Sequence, residues 1–344
     1  MAYHRYRGAD VGIVRIFNSI LADQKVLFDD GEQLRHETVG TLAARIGDTV
    51  ELTDYSVPAF GARGAVTASE ATWLVGHPTS GPCFRVRTAY GRELAVTGDH
   101  SLFRRHPDTG LPQALPVSEL RVGDRVAIAG RVDVIERDRK LVSMIDVALK
   151  ADGDPWRIAV SWPGLGSELH DRRHDVVGLL TSRGERGRQS NWGTLHRWRA
   201  AEVAPLGALQ HLGIPVSNEA EIRPYSSGAT SYLPVNLEIN DQMLWLFGLY
   251  VAEGCVYDKR PKSAYVNISC DDATLDIAEH ILRRDFGVHV VRSKAGPTRG
   301  PSLYVHSQLL VDLWRHLGLV EPEKCIPGWI LGLPLSRLKW FVDG

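Results

Sequence analysis

The chain has 344 residues, 44% hydrophobic and 24% charged, with a formal net charge of −1, an ordinary globular composition with length for two or three domains. That balance excludes a nucleic-acid partner held by overall charge, so any such surface must be local. The four cysteines, Cys83, Cys255, Cys270 and Cys325, form no C-x-x-C pair, and there is neither a signal peptide nor a bilayer-spanning apolar run; reduced thiols in a cytoplasmic protein with no membrane partner are expected.

Residues 1–18 hold a short buried-type strand, Val11 to Phe17. The segment Ala2 to Asn18, with Ala-Tyr-His-Arg-Tyr leading into Ile-Val-Arg-Ile-Phe-Asn, resembles the UDP-glucuronate decarboxylase group of the NAD-dependent epimerase/dehydratases. In that family the Asn matching Asn18 lines the sugar-nucleotide site, and the chain continues Thr-Tyr-Gly-Pro-Arg. Here Ser19-Ile20-Leu21-Ala22-Asp23 follows instead. The nucleotide-binding glycines and the Tyr-x-x-x-Lys pair are absent. Residues 1–18 are therefore expected to be an extein, a piece of a host protein interrupted after Asn18.

From Ser19 to about residue 140 the β signals are short and frequent: Lys25 to Phe28, Thr49 to Thr53, Thr72 to Val75, Phe84 to Thr88 and Glu93 to Thr97. Tyr90-Gly91 turns one strand into the next. Thr97-x-x-His100 stands where the last of these strands ends. Ser19 with its following strand and Asp-Asp-Gly turn, the elements at 43–48 and Leu120 to Val126, and the Thr97-x-x-His100 box together resemble the intein, or Hint, splicing domain. The resemblance implies an all-β domain in which the Ser19 hydroxyl attacks the Asn18 carbonyl in an N-to-O acyl shift. A hydroxyl is a weak nucleophile at neutral pH and needs help from a neighbour. His100 would protonate the departing nitrogen, and Thr97 would donate to the developing negative charge.

Residues 141–240 read as a connector or a DNA-recognition insert. Arg183, Arg186, Arg188, Arg197 and Arg199 are interleaved with Trp192 and Trp198, a nucleic-acid pattern that a solvated face also fits. Leu195 to Leu212 has helical spacing and ends at Gly213.

Residues 241–344 open on the apolar run Leu244 to Gly254, with Asp241 as its expected N-cap and Gly254 as its stop. Gly248 and Ala252, four apart, would let another helix come very close. Glu253 is the run's only charge and sits at the helix C-terminus, where the dipole does not favour it. The pattern alone also fits a core helix whose Glu253 marks the solvent boundary. Next come strand 255–257, a basic turn at 258–262, strand 264–269, a helix capped by Asp271 or Asp272, strand 288–292, a loop at 293–299, strand 302–306 and a helix capped by Ser307. Leu246 to Gly254 and this αββαββα order resemble a half-unit of the LAGLIDADG (DOD-type) homing endonucleases. The resemblance implies a sheet laid on double-stranded DNA, with Lys259, Arg260, Lys262, Arg292, Lys294 and Arg299 reaching phosphates. It also implies Glu253 as a catalytic acid and metal ligand for Mg²⁺. Residues 323–344 resemble the approach to a second such helix, which Val342 would begin and whose acid would lie past Gly344.

The fold expected is thus multidomain: an extein at 1–18, an incomplete all-β Hint domain at 19–140, a connector at 141–240 and an α+β endonuclease half-unit at 241–344. The function expected is protein splicing joined to site-specific DNA cleavage, with the host extein as partner in cis and no cofactor for splicing. As a piece open at both ends, the chain is expected neither to splice nor to cut efficiently. Two alternatives stay open: a DNA-binding protein on a degenerate endonuclease fold, or an NAD-dependent epimerase/dehydratase read from the extein.

Overall fold

The computed structural model describes residues 19–60, 65–130, 132, 134–184, 188–225, 232–260, 263–296, 299–320 and 326–344. The expected strand at 11–17, Asn18, Arg186, Lys262 and Cys325 lie outside the described residues. The chain divides into two compact units, one ending at Arg137 and the other running Asp138–Gly344.

In the first unit the strands are β1 (Lys25–Asp29), β2 (Leu34–Thr38), β3 (Thr49–Glu51), β4 (Ser56–Phe60), β5 (Val66–Glu70), β6 (Trp73–Val75), β7 (Cys83–Arg87), β8 (Glu93–Thr97), β9 (Ser101–Arg105) and β10 (Pro112–Pro116). All pair antiparallel, as a four-stranded sheet of order β2-β1-β4-β5 and three two-stranded ribbons, β3-β6, β7-β8 and β9-β10. Helix α1 (Val39–Ile46) interrupts the expected all-β pattern. The Thr38 side chain caps it by accepting from Thr41 N, and Val39 and Leu42 point into the core. That core is small: Phe28, Val39, Leu42 and Leu74 are its buried members. Asp29 at the end of β1 is 5% exposed, and the Arg137 guanidinium binds both its carboxylate oxygens. A buried carboxylate requires such a fork.

The second unit begins with β11 (Leu141–Ser143) and α2 (Met144–Asp152), then β12 (Ile158–Ser161), α3 (Leu165–Asp171), α4 (Arg173–Ser182), α5 (Arg188–Ala201), β13 (Val203–Pro205) and α6 (Leu206–Leu212). It continues with β14 (Glu221–Pro224), β15 (Leu233–Pro234) and β16 (Asn236–Glu238). The described residues of 141–240 thus form helices and strands within the second compact unit. Strands β13-β12-β14-β15 form one sheet, and β11 pairs with β16. The helix expected over 195–212 is broken in two. Glu202 takes a left-handed φ of 50°, and Pro205, which lacks an N–H, caps α6 instead of lying inside a helix. Trp198 is 6% exposed and donates to Tyr225 Oη at 2.9 Å, while the Arg183 guanidinium lies 3.7 Å from the Trp156 ring centre. These members of the basic–aromatic run are committed to packing.

The rest of the unit is α7 (Asp241–Glu253), β17 (Gly254–Lys259), β18 (Ser263–Ser269), α8 (Asp272–Asp285), β19 (Val291–Ser293), β20 (Ser302–Val305), α9 (Gln308–His316), α10 (Gly328–Leu331) and α11 (Leu335–Asp343). The expected αββαββα order is present from α7 to α9. Its antiparallel sheet runs β17-β18-β20-β19. Asn240, one residue before the expected cap, caps α7 by accepting from Met243 N at 2.9 Å. Asp271 and Ser307 cap α8 and α9 as expected. The strand expected at 288–292 is displaced: Val288 and Val290 are buried core residues, and only 291–293 pair with β20. The final helix begins at Leu335 behind Pro334, seven residues before the expected start at Val342.

Candidate functional site: Ser19 and the sheet of the second unit

Ser19 enters the fold as the start of an extra strand beside β8. Its carbonyl accepts from Thr97 N at 3.0 Å, Ile20 bridges Val96, and Leu21 N donates to Ala95 O at 3.1 Å. Val96 is fully buried and Thr97 is 6% exposed, so the register is held from below. The Thr97 hydroxyl accepts from Ser19 N at 3.2 Å and donates to Ser19 O at 3.4 Å. The first bond holds the nitrogen of the expected scissile bond and the second holds the carbonyl of Ser19 itself, whereas the sequence leads one to expect donation to the developing negative charge. His100 follows one turn later. Its N–H donates to Thr97 O at 3.0 Å, and its carbonyl accepts from Val117 N at 2.8 Å.

A further residue joins this group. His77 Nε2 lies 2.8 Å from Ser19 Oγ, and its Nδ1 lies 3.0 Å from the carbonyl of Pro78. A carbonyl can only accept, so Nδ1 carries the proton and Nε2 of the neutral ring accepts from the serine hydroxyl. His77 stands just past β6 because Gly76 N donates to Asp48 O; a Cβ at Gly76 would sit 3.0 Å from that oxygen. A cleft of about 360 Å³ opens against Ser19, Val75, His77, Thr79 and Thr97. His77 is 58 positions from Ser19 and no local motif marks it, so the sequence alone does not join the two.

In the second unit, α7 is buried along Met243, Leu244, Leu246, Phe247, Gly248, Leu249 and Tyr250. Phe247 and Tyr250 meet the Trp314 ring edge-on, with centroids 5.4 and 5.9 Å away. Burial, with the Cys255 thiol nearby, pushes the Tyr250 phenol up to about 12. Helix α11 crosses Gly248 so closely that a Cβ there would overlap the carbonyl of Phe341. Ala252, expected to share this contact, is exposed. Gly254 is not a left-handed cap: its φ is −96°, and the chain passes from α7 straight into β17. Glu253 is exposed at the junction. Burial raises the Cys270 thiol, and the charges of Asp271 and Glu253 raise it further. Among the described residues, no group of three or more His, Cys, Asp or Glu side chains could hold a metal ion. One exposed carboxylate does not make the Mg²⁺ site that the resemblance implied.

The pleat sorts the sheet of this unit into two faces. Ala264, Val266, Ile268, Leu303 and Val305 are buried in the core with α8 and α9. The opposite face carries Tyr257 stacked on Tyr265 at 4.9 Å, with Tyr304 and His306 against Tyr265 at 5.6 and 5.1 Å. Lys259 lies on this face, its Nζ 5.4 Å from the Tyr257 ring centre. Arg260 and Arg292 do not join it. Arg260 binds Asp258 at 2.7 Å and Asp312 at 2.8 Å. Arg292 pairs with Asp272 at 2.6 Å and with Asp276 on α8. Lys294 and Arg299 are exposed in the loop after β19.

Among the described residues, no helix is long and apolar enough to cross a membrane. No protein-family model matches the chain, and no curated protein matches it.

Proposed function

We propose that the first unit performs the opening step of protein splicing, an N-to-O acyl shift that moves the carbonyl of Asn18 from the nitrogen of Ser19 to its hydroxyl. The observation that carries this reading is the setting of Ser19: an imidazole nitrogen lies 2.8 Å from its hydroxyl, and the Thr97 hydroxyl is bonded to its nitrogen. A serine hydroxyl on a basic nitrogen is the arrangement nucleophilic chemistry requires. His100, one turn past Thr97, would serve as the acid for the departing nitrogen. The host extein, residues 1–18, is both substrate and partner in cis. Hydroxylamine tests the step, because it cleaves an ester far faster than an amide. Incubation of the intact chain should release residues 1–18 as a hydroxamate, read by mass spectrometry. Ser19→Ala should reduce release to background; equal release from both proteins would end the reading.

A second activity, duplex DNA binding by the other unit, is favoured by the open sheet face. Tyr257 stacked on Tyr265, Tyr304 edge-on to Tyr265, His306 and Lys259 make it aromatic and cationic, and Lys294 and Arg299 stand in the adjoining loop. Lysines and arginines on such a face would pair with phosphates and release counterions. Glu253 stands exposed at the end of α7.

A further inference from the structure

We propose that His77 is the general base of the acyl shift, a role that rests on the reading of Ser19 as its nucleophile. Three observations carry it. The Nε2–Oγ separation of 2.8 Å is a working hydrogen bond. The Pro78 carbonyl, 3.0 Å from Nδ1, fixes the tautomer that turns a lone pair toward Ser19. Gly76, which cannot carry a Cβ without crowding Asp48, holds the residue beside it in place.

The step balances as follows. The Ser19 hydroxyl gives its proton to Nε2 as Oγ forms a bond to the carbonyl carbon of residue 18. The bond from that carbon to Ser19 N then breaks, and the nitrogen, which needs one proton to leave as an amine, takes it from His100 while the hydroxyl proton stays on Nε2, so one histidine gains the proton that the other gives up. Nothing is oxidised or reduced, and no external group is consumed. His77 and His100 therefore divide the work, His77 acting on the oxygen and His100 on the nitrogen.

The experiment compares hydroxylamine-dependent release of residues 1–18 in the intact chain, in His77→Gln, in Ser19→Cys and in the double variant. Glutamine retains a hydrogen-bond acceptor but has no useful basicity, and circular dichroism checks that each variant is folded. We expect His77→Gln to slow release by about 10²- to 10⁴-fold, the range for a lost general base. A thiol ionises far more readily than a hydroxyl. Ser19→Cys should therefore depend little on His77, and the double variant should release within about tenfold of Ser19→Cys. Release from His77→Gln at the parent rate would overturn the proposal. So would an equal loss in the serine and cysteine backgrounds, which would mark His77 as structural. No release from the parent beyond the Ser19→Ala background would instead remove the acyl-shift reading itself, and this proposal with it.

Discussion

Asp258 shows how a single carboxylate sets the chemistry of its neighbourhood. It is nearly buried, and burial alone would raise its pKa. Hydrogen bonds from Arg260 and Arg315 outweigh that and hold it at about 2. Its neighbour Asp312 goes the other way, raised by burial despite the same arginines. A depressed carboxylate adds stability above its unfolded pKa, about 3.9, and the contribution disappears as pH falls through about 2. Asp312 has the opposite sign and offsets part of the loss. Asp258→Asn should therefore lower stability by about 1.5–3 kcal/mol at pH 7, the range for hydrogen bonds to a charged group. The gap should close toward pH 2. Urea unfolding at the two pH values checks this, and a gap independent of pH would refute it. The same network explains why Arg260 belongs to the fold and not to the open face. In the sequence it is simply a cation in a basic turn. Nothing local reveals that Asp258 and Asp312 will take hold of it.

At the scale of elements, the contact of α7 with α11 depends on Gly248. A side chain there meets backbone, which cannot rotate away as a side chain can. Gly248→Val should cost about 1–3 kcal/mol or more, as overpacking does. Gly178, inside α4 with nothing within 4 Å of its missing Cβ, supplies the contrast. Gly178→Ala should stabilise by about 0.5–1 kcal/mol through helix propensity. Thermal unfolding of the two variants in opposite directions is the expected outcome. The elements legible in the sequence were those whose signals are local. Asp271 and Ser307 cap their helices, and alternation from Ala264 to Ser269 gives a strand with one buried face. Residues 141–240 were not legible, because their strands have only two to four residues and take their identity from distant partners, as β11 does from β16. The site divides along the same line. Thr97 and His100 sit in one turn and could be read together, whereas His77 reaches Ser19 only through the fold.

Across the whole molecule, the two proposed activities fall in different compact units. Substitutions should therefore separate them. Lys259→Ala should weaken duplex DNA binding at every sequence tested and reduce its salt slope by about one, while leaving hydroxylamine release unchanged. Ser19→Ala should do the reverse. Fluorescence anisotropy over a salt series, run beside the release assay, reads both; a Lys259→Ala protein with unaltered salt dependence would exclude that face as a phosphate contact. The units also differ in their cores. The second encloses a large continuous apolar cluster, and in the first the cluster around α1 holds only Phe28, Val39, Leu42 and Leu74 among the described buried residues.

One junction has a consequence for anything that lies along the second unit's sheet. Because α7 runs into β17 at Gly254 with no intervening loop, the backbone alone sets where Glu253 stands relative to the strand. At the rise of an extended chain, Tyr257 stands roughly 13 Å further along than Glu253. The acid and the aromatic rings are therefore spaced like marks on a ruler, with one continuous run of backbone setting the interval.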